Sequence, residues 1–174
     1  MDKKNLSVEK SMQDEKNLTQ EIFPQDEIVR LETNLDDCTG ECLGYAMECL
    51  LEAGARDVFY TPVFTKKNRP AYLLTVLCKE EDRQKLEEII FTETTSIGIR
   101  RETLKRSILP REAITVNTIF GEIPAKKCRI RDDVRIYPEY EGIRAICREK
   151  ELPYQDVLQA AKAAIHELML KEYE

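Results

Sequence analysis

Between Glu27 and Thr33 apolar and polar side chains alternate, with Val29 and Leu31 on one side and Ile28, Arg30 and Glu32 on the other. That is the period of a half-buried strand. Asn34 to Gly40 are short, polar and rich in capping types, and predict a turn. Leu43, Ala46, Met47, Leu50 and Leu51 then recur at the i, i+3, i+4, i+7, i+8 spacing of one buried helical stripe, which Gly54 ends. Two strand-like runs follow, Asp57–Thr65 and Ala71–Cys78, joined by Lys66-Lys67-Asn68-Arg69-Pro70. Pro62 marks the first as an edge strand or a bulge; the unbroken apolar run AYLLTVLC of the second reads as a strand covered on both faces. Lys79–Phe91 reads as an amphipathic helix burying Leu86, Ile89 and Ile90, and Ile97–Leu104 as a strand after the polar turn Thr94-Thr95-Ser96. The order βαββαβ predicts an α+β fold with a ferredoxin-like core, an antiparallel sheet carrying two helices on one face.

After that core, Glu112–Phe120 and Glu122–Arg131 read as a β-hairpin about Gly121. Two C-terminal helices follow, one burying Tyr140, Ile143 and Cys147, the other starting near Pro153 and burying Val157, Leu158, Ala161, Ile165 and Leu168. The expected organisation is a flexible leader over 1–25, a ferredoxin-like domain over 26–108, and a hairpin plus helical region over 109–174 packed on it.

The 174 residues are 42% hydrophobic, enough for a core. A net charge of -6 argues against a charge-driven nucleic-acid binder, which needs a basic face. No apolar run reaches the ~20 residues of a membrane span. The polar start lacks the apolar stretch of a secretion signal, so a cytoplasmic protein is expected. The six cysteines, at 38, 42, 49, 78, 128 and 147, then read as thiols rather than a disulfide framework. The single histidine, His166, sits on the last helix and reads as a solvated residue, so imidazole-based zinc or triad chemistry has little to work with.

Charge is unevenly spread: from Arg100 to Arg111 there are five basic residues against Glu102 alone. Such a segment is either a solvated strand face or a grip for a multiply charged anion. Asp36 and Asp37 either cap the first helix or, with Asn34 and Glu41, supply oxygens to a hard cation. The loop with Lys66, Lys67 and Arg69 could hold phosphates, and hydroxyls of the Thr94-Thr95-Ser96 turn lie near Gly98 and Arg100 in sequence. Neither a Walker A nor a GxGxxG pattern is present. Cys38, Cys42 and Cys49 are spaced for one helical side, which suits a soft metal or, equally, small residues bordering a core.

Five separated motifs in this order, LETNLDDCTGE, TKKNRPAYLLTVLC, FTETTSIGIRRE, ILPRE and YPEYE, resemble the C-terminal half of the LarC family of nickel-insertion proteins. The likeness covers about Ile28 to Ala160. It implies a CTP-dependent nickel insertase or cyclometallase, of the lyase class, that consumes CTP to CMP and diphosphate. The product is the nickel-pincer nucleotide cofactor of lactate racemase, made from pyridinium-3,5-bisthiocarboxylic acid mononucleotide; Ni²⁺ is the substrate metal and Mg²⁺ or Mn²⁺ accompanies CTP. The resemblance places Asn34, Asp36, Asp37 and Glu41 at a metal-facing turn. It makes Lys66, Lys67, Arg69, Thr94, Thr95, Arg100, Arg101 and Arg111 nucleotide or phosphate contacts, and leaves the catalytic residues unassigned. Family members usually carry Met in place of Cys38, Gly in place of Ala71 and an acidic residue in place of Gly142.

The implied partners are CTP, the pyridinium mononucleotide and the N-terminal half of the family protein, with no nucleic acid and no membrane. Edge-strand signals point to a homo-oligomer; the copy number expected is a trimer or hexamer, which those signals do not set. The competing class is a non-catalytic oligomerising or regulatory ferredoxin-like module, which the same fold would support. A single-stranded RNA binder is disfavoured by the absence of an aromatic RNP pattern.

Overall fold

The computed structural model describes residues 23–131 and 133–172; the leader expected over 1–25 lies mostly outside them, and its last residue, Gln25, already belongs to the first strand. The chain divides into two units, Gln25–Ser107 and a second that includes Ile108–Glu174.

In the first unit β1 (Gln25–Leu35) is followed by α1 (Gly40–Glu52), β2 (Asp57–Thr65), β3 (Arg69–Cys78), α2 (Arg83–Glu93) and β4 (Arg100–Ser107). The sheet order is β2-β3-β1-β4, every pair antiparallel, which is compatible with a ferredoxin-like split βαβ arrangement. Alternation along β1 sends Val29, Leu31 and Leu35 to the helix side. There they meet Leu74, Val76 and Cys78 of β3, Leu43 and Leu50 of α1, and Leu86 and Ile90 of α2. The opposite face of β3 is covered only in part: Ala71 and Thr75 are buried, Leu73 and Leu77 half-buried. Pro62 lies on the edge strand β2, in register with Tyr72 of β3, a position in a sheet where proline is tolerated.

Several boundaries shift by a few residues from expectation. β1 and β3 start two residues early, the second helix begins with a 3₁₀ turn at Glu80–Asp82, and the last strand of the unit runs to Ser107 and starts at Arg100 rather than Ile97. The last of these shifts has a local cause: Ser96 and Gly98 are tied to each other and to Thr33 by hydrogen bonds that hold the chain in a turn.

The second unit contains β5 (Arg111–Thr118), β6 (Gly121–Ile130), β7 (Asp133–Pro138), α3 (Tyr140–Lys150) and α4 (Tyr154–Glu172). Its antiparallel sheet has the order β5-β6-β7, so the expected hairpin is extended by a third strand. Ile136 of that strand is buried with Val116, Ala125 and Ile165, a core contribution that the shortness of the six-residue segment concealed. The hairpin turns at Gly121, whose φ of 128° is open to glycine at little cost. Ile123, Ile143, Ile146, Val157 and Ala161 form the rest of the core. Tyr140, expected inside, is exposed: it is the first residue of α3 and rests against the ring of Tyr154, while Ile146 takes the inward place. His166 is exposed, and all six cysteines are free thiols. Among the described residues no helix is long and apolar enough to cross a membrane.

Candidate functional site

The C-terminal end of β1, the β2–β3 connection and the segment before β4 lie at one end of the first sheet. Together they enclose a cleft of about 630 Å³ lined by Asn34, Asp36 and Asp37, by Thr65 and Lys66, and by Thr95 to Gly98 with Arg100. Several of its polar side chains bond one another or a neighbour at its edge. Arg100 donates from Nη2 to Asn34 Oδ1 at 2.5 Å and lies 3.9 Å from Glu32; Arg69 donates to Asp36 Oδ2 at 3.3 Å; the Thr95 hydroxyl donates to Asp37 Oδ1 at 2.5 Å.

Neither aspartate caps α1. Thr39 does, accepting the Cys42 N–H on its side-chain oxygen at 3.3 Å and the Leu43 N–H on its carbonyl at 3.0 Å. The capping alternative for Asp36 and Asp37 is thereby removed, and both carboxylates face the cleft from an exposed turn. The floor is a buried hydroxyl lattice. Thr33 Oγ1 lies 2.6 Å from Ser96 Oγ, and both hydroxyls reach the Gly98 carbonyl, at 2.9 and 3.1 Å. Thr33 was not singled out from the sequence, although a hydroxyl at an inward position of the β1 alternation was a readable signal.

The connection Lys66–Asn68 is a tight 3₁₀ turn in which Lys67 and Asn68 hold φ of 63° and 55°, left-handed values that non-glycine residues rarely adopt. Lys66 reaches the cleft lining; Lys67 is exposed and does not. Thr94 is structural, its hydroxyl closing the last turn of α2 onto Ile90 O at 2.6 Å. Glu41, in the first turn of α1, is exposed and outside the lining. Arg101 is a correction to the expected grouping. Successive strand residues point to opposite faces, so it turns away from Arg100 and meets Glu87 of α2 at 3.7 Å. Arg111 belongs to the second unit, where with Lys127 and Arg129 it lines a separate cavity of about 220 Å³.

Beside the cleft Cys38 packs half-buried against the core, and burial pushes its thiol up, an effect opposed by a hydrogen bond from the Thr95 backbone. Tyr60, which donates to Leu43 O at 2.7 Å, is pushed by burial up to about 12. Cys42 is exposed rather than bordering the core. Among the described residues no three His, Cys, Asp or Glu side chains converge as a metal cage. Asn34, Asp36 and Asp37 line the same cleft, and one oxygen of each already accepts a hydrogen bond, from Arg100, Arg69 and Thr95 respectively.

A family model described as nickel insertion protein matches residues 7–158. The chain belongs to that family. As a nickel insertion family member it is 50% identical over 127 residues to the pyridinium-3,5-bisthiocarboxylic acid mononucleotide nickel insertion protein of Alkaliphilus metalliredigens, covering 73% of this chain and 30% of the relative. It is 41% identical over 157 residues to the like-named protein of Lactiplantibacillus plantarum, covering 89% and 37%. The chain thus spans about a third of the length of these curated relatives. Its fold matches that of LarC2, the C-terminal domain of a cyclometallase involved in synthesis of the NPN cofactor of lactate racemase. The TM-score is 0.72 at 42% identity, over 82% of this chain and 99% of that one. A Methanopyrus kandleri protein of known structure matches at TM-score 0.58 and 26% identity, over 82% and 90%.

Proposed function

We propose that the cleft between Asn34 and Arg100 binds CTP together with Mg²⁺ or Mn²⁺, and that this chain is the nucleotide-binding part of a nickel insertase. The substrate is then pyridinium-3,5-bisthiocarboxylic acid mononucleotide, which receives Ni²⁺ while CTP is converted to CMP and diphosphate. The observation that carries the reading is the juxtaposition in one cleft of Lys66 and Arg100 with two carboxylates freed from capping by Thr39. A cation-only pocket would suit a bare anion and a carboxylate-only pocket a bare cation; a metal–phosphate ligand needs both. In this reading Asp36 and Asp37, with Asn34 beside them, hold the divalent cation, which neutralises charge on the phosphates when bound. Lys66 and Arg100 take phosphate oxygens, with Arg69 positioning Asp36 and Thr95 positioning Asp37. Lys67 is assigned to solvent-side contact with the same phosphates. Glu41, Thr94 and Arg101 receive no ligand role, and Arg111 is left to the cavity of its own unit. The N-terminal half of the family protein is the proposed partner for turnover, and a homo-oligomer its proposed state.

Calorimetric titration with CTP, with and without Mn²⁺ and against ATP and UTP, tests the reading. CTP-selective, metal-dependent binding that Arg100→Glu abolishes and Asp37→Asn renders metal-independent is the expected result. Normal CTP binding by Arg100→Glu would remove the cleft from the reading, and no binding by the wild-type chain would favour the oligomerising module.

A further inference from the structure

We propose that Ile97 is the contact for the flat nitrogen heterocycle of the bound nucleotide, an inference that rests on the nucleotide reading of the cleft. Ile97 is 100% exposed and belongs to the lining of the cleft that also holds Asp36, Asp37, Lys66 and Arg100. A solitary exposed isoleucine on an ordinary surface means little. This one is carried by a turn with both flanks tied down. Ser96 is buried, its hydroxyl bonded to Thr33 and Gly98, and the Gly98 carbonyl accepts from the Thr33 hydroxyl.

The polar groups of Thr33, Ser96 and Gly98 thus satisfy one another, and the Thr95 hydroxyl is taken by Asp37. What they leave facing the ligand is a hydrocarbon side chain on a fixed backbone, arranged before anything binds. Beside it, a Cβ added at Gly98 would meet nothing within 4 Å, so no neighbouring atom crowds that side of the turn. Lys66 and Arg100 supply the charged part of the same cleft. An inorganic phosphate chain would use only that part. A ligand with a phosphate end and a flat ring with apolar faces uses both, and this pairing of a few polar anchors with an apolar surface is how small-molecule sites fix orientation. Two rings meet the description, the pyrimidine of CTP and the pyridinium of the mononucleotide substrate. The contact proposed is with the chemistry they share, a six-membered nitrogen heterocycle joined to a ribose phosphate.

The test compares wild type with Ile97→Ala and Ile97→Gln. Ile97 contributes nothing to either core, so both variants are expected to fold. Each is titrated with CTP, with nicotinic acid mononucleotide as a pyridinium mononucleotide, and with tripolyphosphate, all in Mn²⁺. The expected result is about tenfold weaker binding of one heterocyclic ligand, the size of effect that removing a few apolar atoms from a contact produces, with tripolyphosphate binding unchanged. Whichever heterocycle loses affinity identifies the ring that Ile97 touches. Unchanged affinity for both, with tripolyphosphate still bound, overturns the assignment while leaving the nucleotide reading in place. Loss of self-association in sedimentation, in place of lost affinity, also overturns it and makes Ile97 a contact between copies. If tripolyphosphate and CTP both fail to bind the wild-type chain, the nucleotide reading falls and this inference with it.

Discussion

Replacing Thr33 with valine deletes one hydroxyl from the lattice beneath the cleft and almost nothing else. The side chain is 3% exposed, and its oxygen lies 2.6 Å from Ser96 Oγ and 2.9 Å from the Gly98 carbonyl. A net intramolecular hydrogen bond is worth about 0.5–1.5 kcal/mol, so two give roughly 1–3. The penalty for an orphaned buried group does not add to this. After the change Ser96 Oγ still has the Gly98 carbonyl at 3.1 Å and the Gly98 N–H at 3.4 Å. Valine has similar shape and favours a strand, which offsets a few tenths of a kcal/mol. The expected loss is about 1–2 kcal/mol, read as a lower urea midpoint at unchanged slope. A cycle with Ser96→Ala should show coupling of at least about 0.5 kcal/mol, because the two hydroxyls share one bond. Wild-type stability in Thr33→Val, or strictly additive single changes, would refute the lattice as the element that fixes the turn.

Thr39→Ala should cost α1 about 1 kcal/mol, whereas Asp36→Ala and Asp37→Ala should stay within about 0.5 kcal/mol in the same urea assay. A loss from either aspartate as large as that from Thr39 would return the cap to the aspartates. At Gly142 an added Cβ would lie 2.6 Å from Pro124 Cδ and 3.4 Å from Ile123 Cγ2. Overpacking of about 1–3 kcal/mol outweighs the helix gain of ~1 kcal/mol, so Gly142→Ala should melt below wild type; an equal or higher melting temperature would show that the proline ring gives way. Burial, aided by Asp82 and Glu80, pushes the Cys78 thiol from 9.0 to about 11. Its ionised form is disfavoured in the folded chain, so the associated stability is intact below pH 9 and declines as pH rises towards 11. Urea midpoints across that range should fall in wild type and fall less in Cys78→Ala; identical slopes would exclude Cys78 as their source.

Much of the first unit was legible because its periodicities are clean: the inward residues of β1 and Leu43, Ala46 and Leu50 of the α1 stripe occupy the places that alternation and helical spacing assign them, while Leu51, assigned to the same stripe, is exposed at its edge. The second unit was harder. Its strand β7 is six residues long with one fully buried apolar side chain, too little signal to separate a strand from a loop. The cap was ambiguous because Asp36, Asp37 and Thr39 are all good caps within four positions, and the choice depends on where the helix axis begins. Grouping Arg100 with Arg101 ignored a signal that was present, since consecutive strand residues cannot share a face. The lattice of Thr33, Ser96 and Gly98 was not readable at all as a unit, because it joins residues 63 and 65 positions apart.

The strand that delivers Arg100 is held in an unusual manner. In β4 only Leu104 is even half-buried, so hydrocarbon does little to set its register against β1. Charge does more: Arg106 bonds Asp26 through two nitrogens, Glu102 accepts from Arg30 at 2.7 Å, and Arg100 donates to Asn34. A slip of one position would bring Arg101 opposite Glu32 and undo all three rungs at once. The edge strand thus behaves like a zip fastened by ions, and dissolved salt competes for its teeth. Ionic strength is therefore expected to act first on the side-chain rungs of this strand, while its eight-residue backbone ladder to β1 and the apolar core on the helix side are left in place.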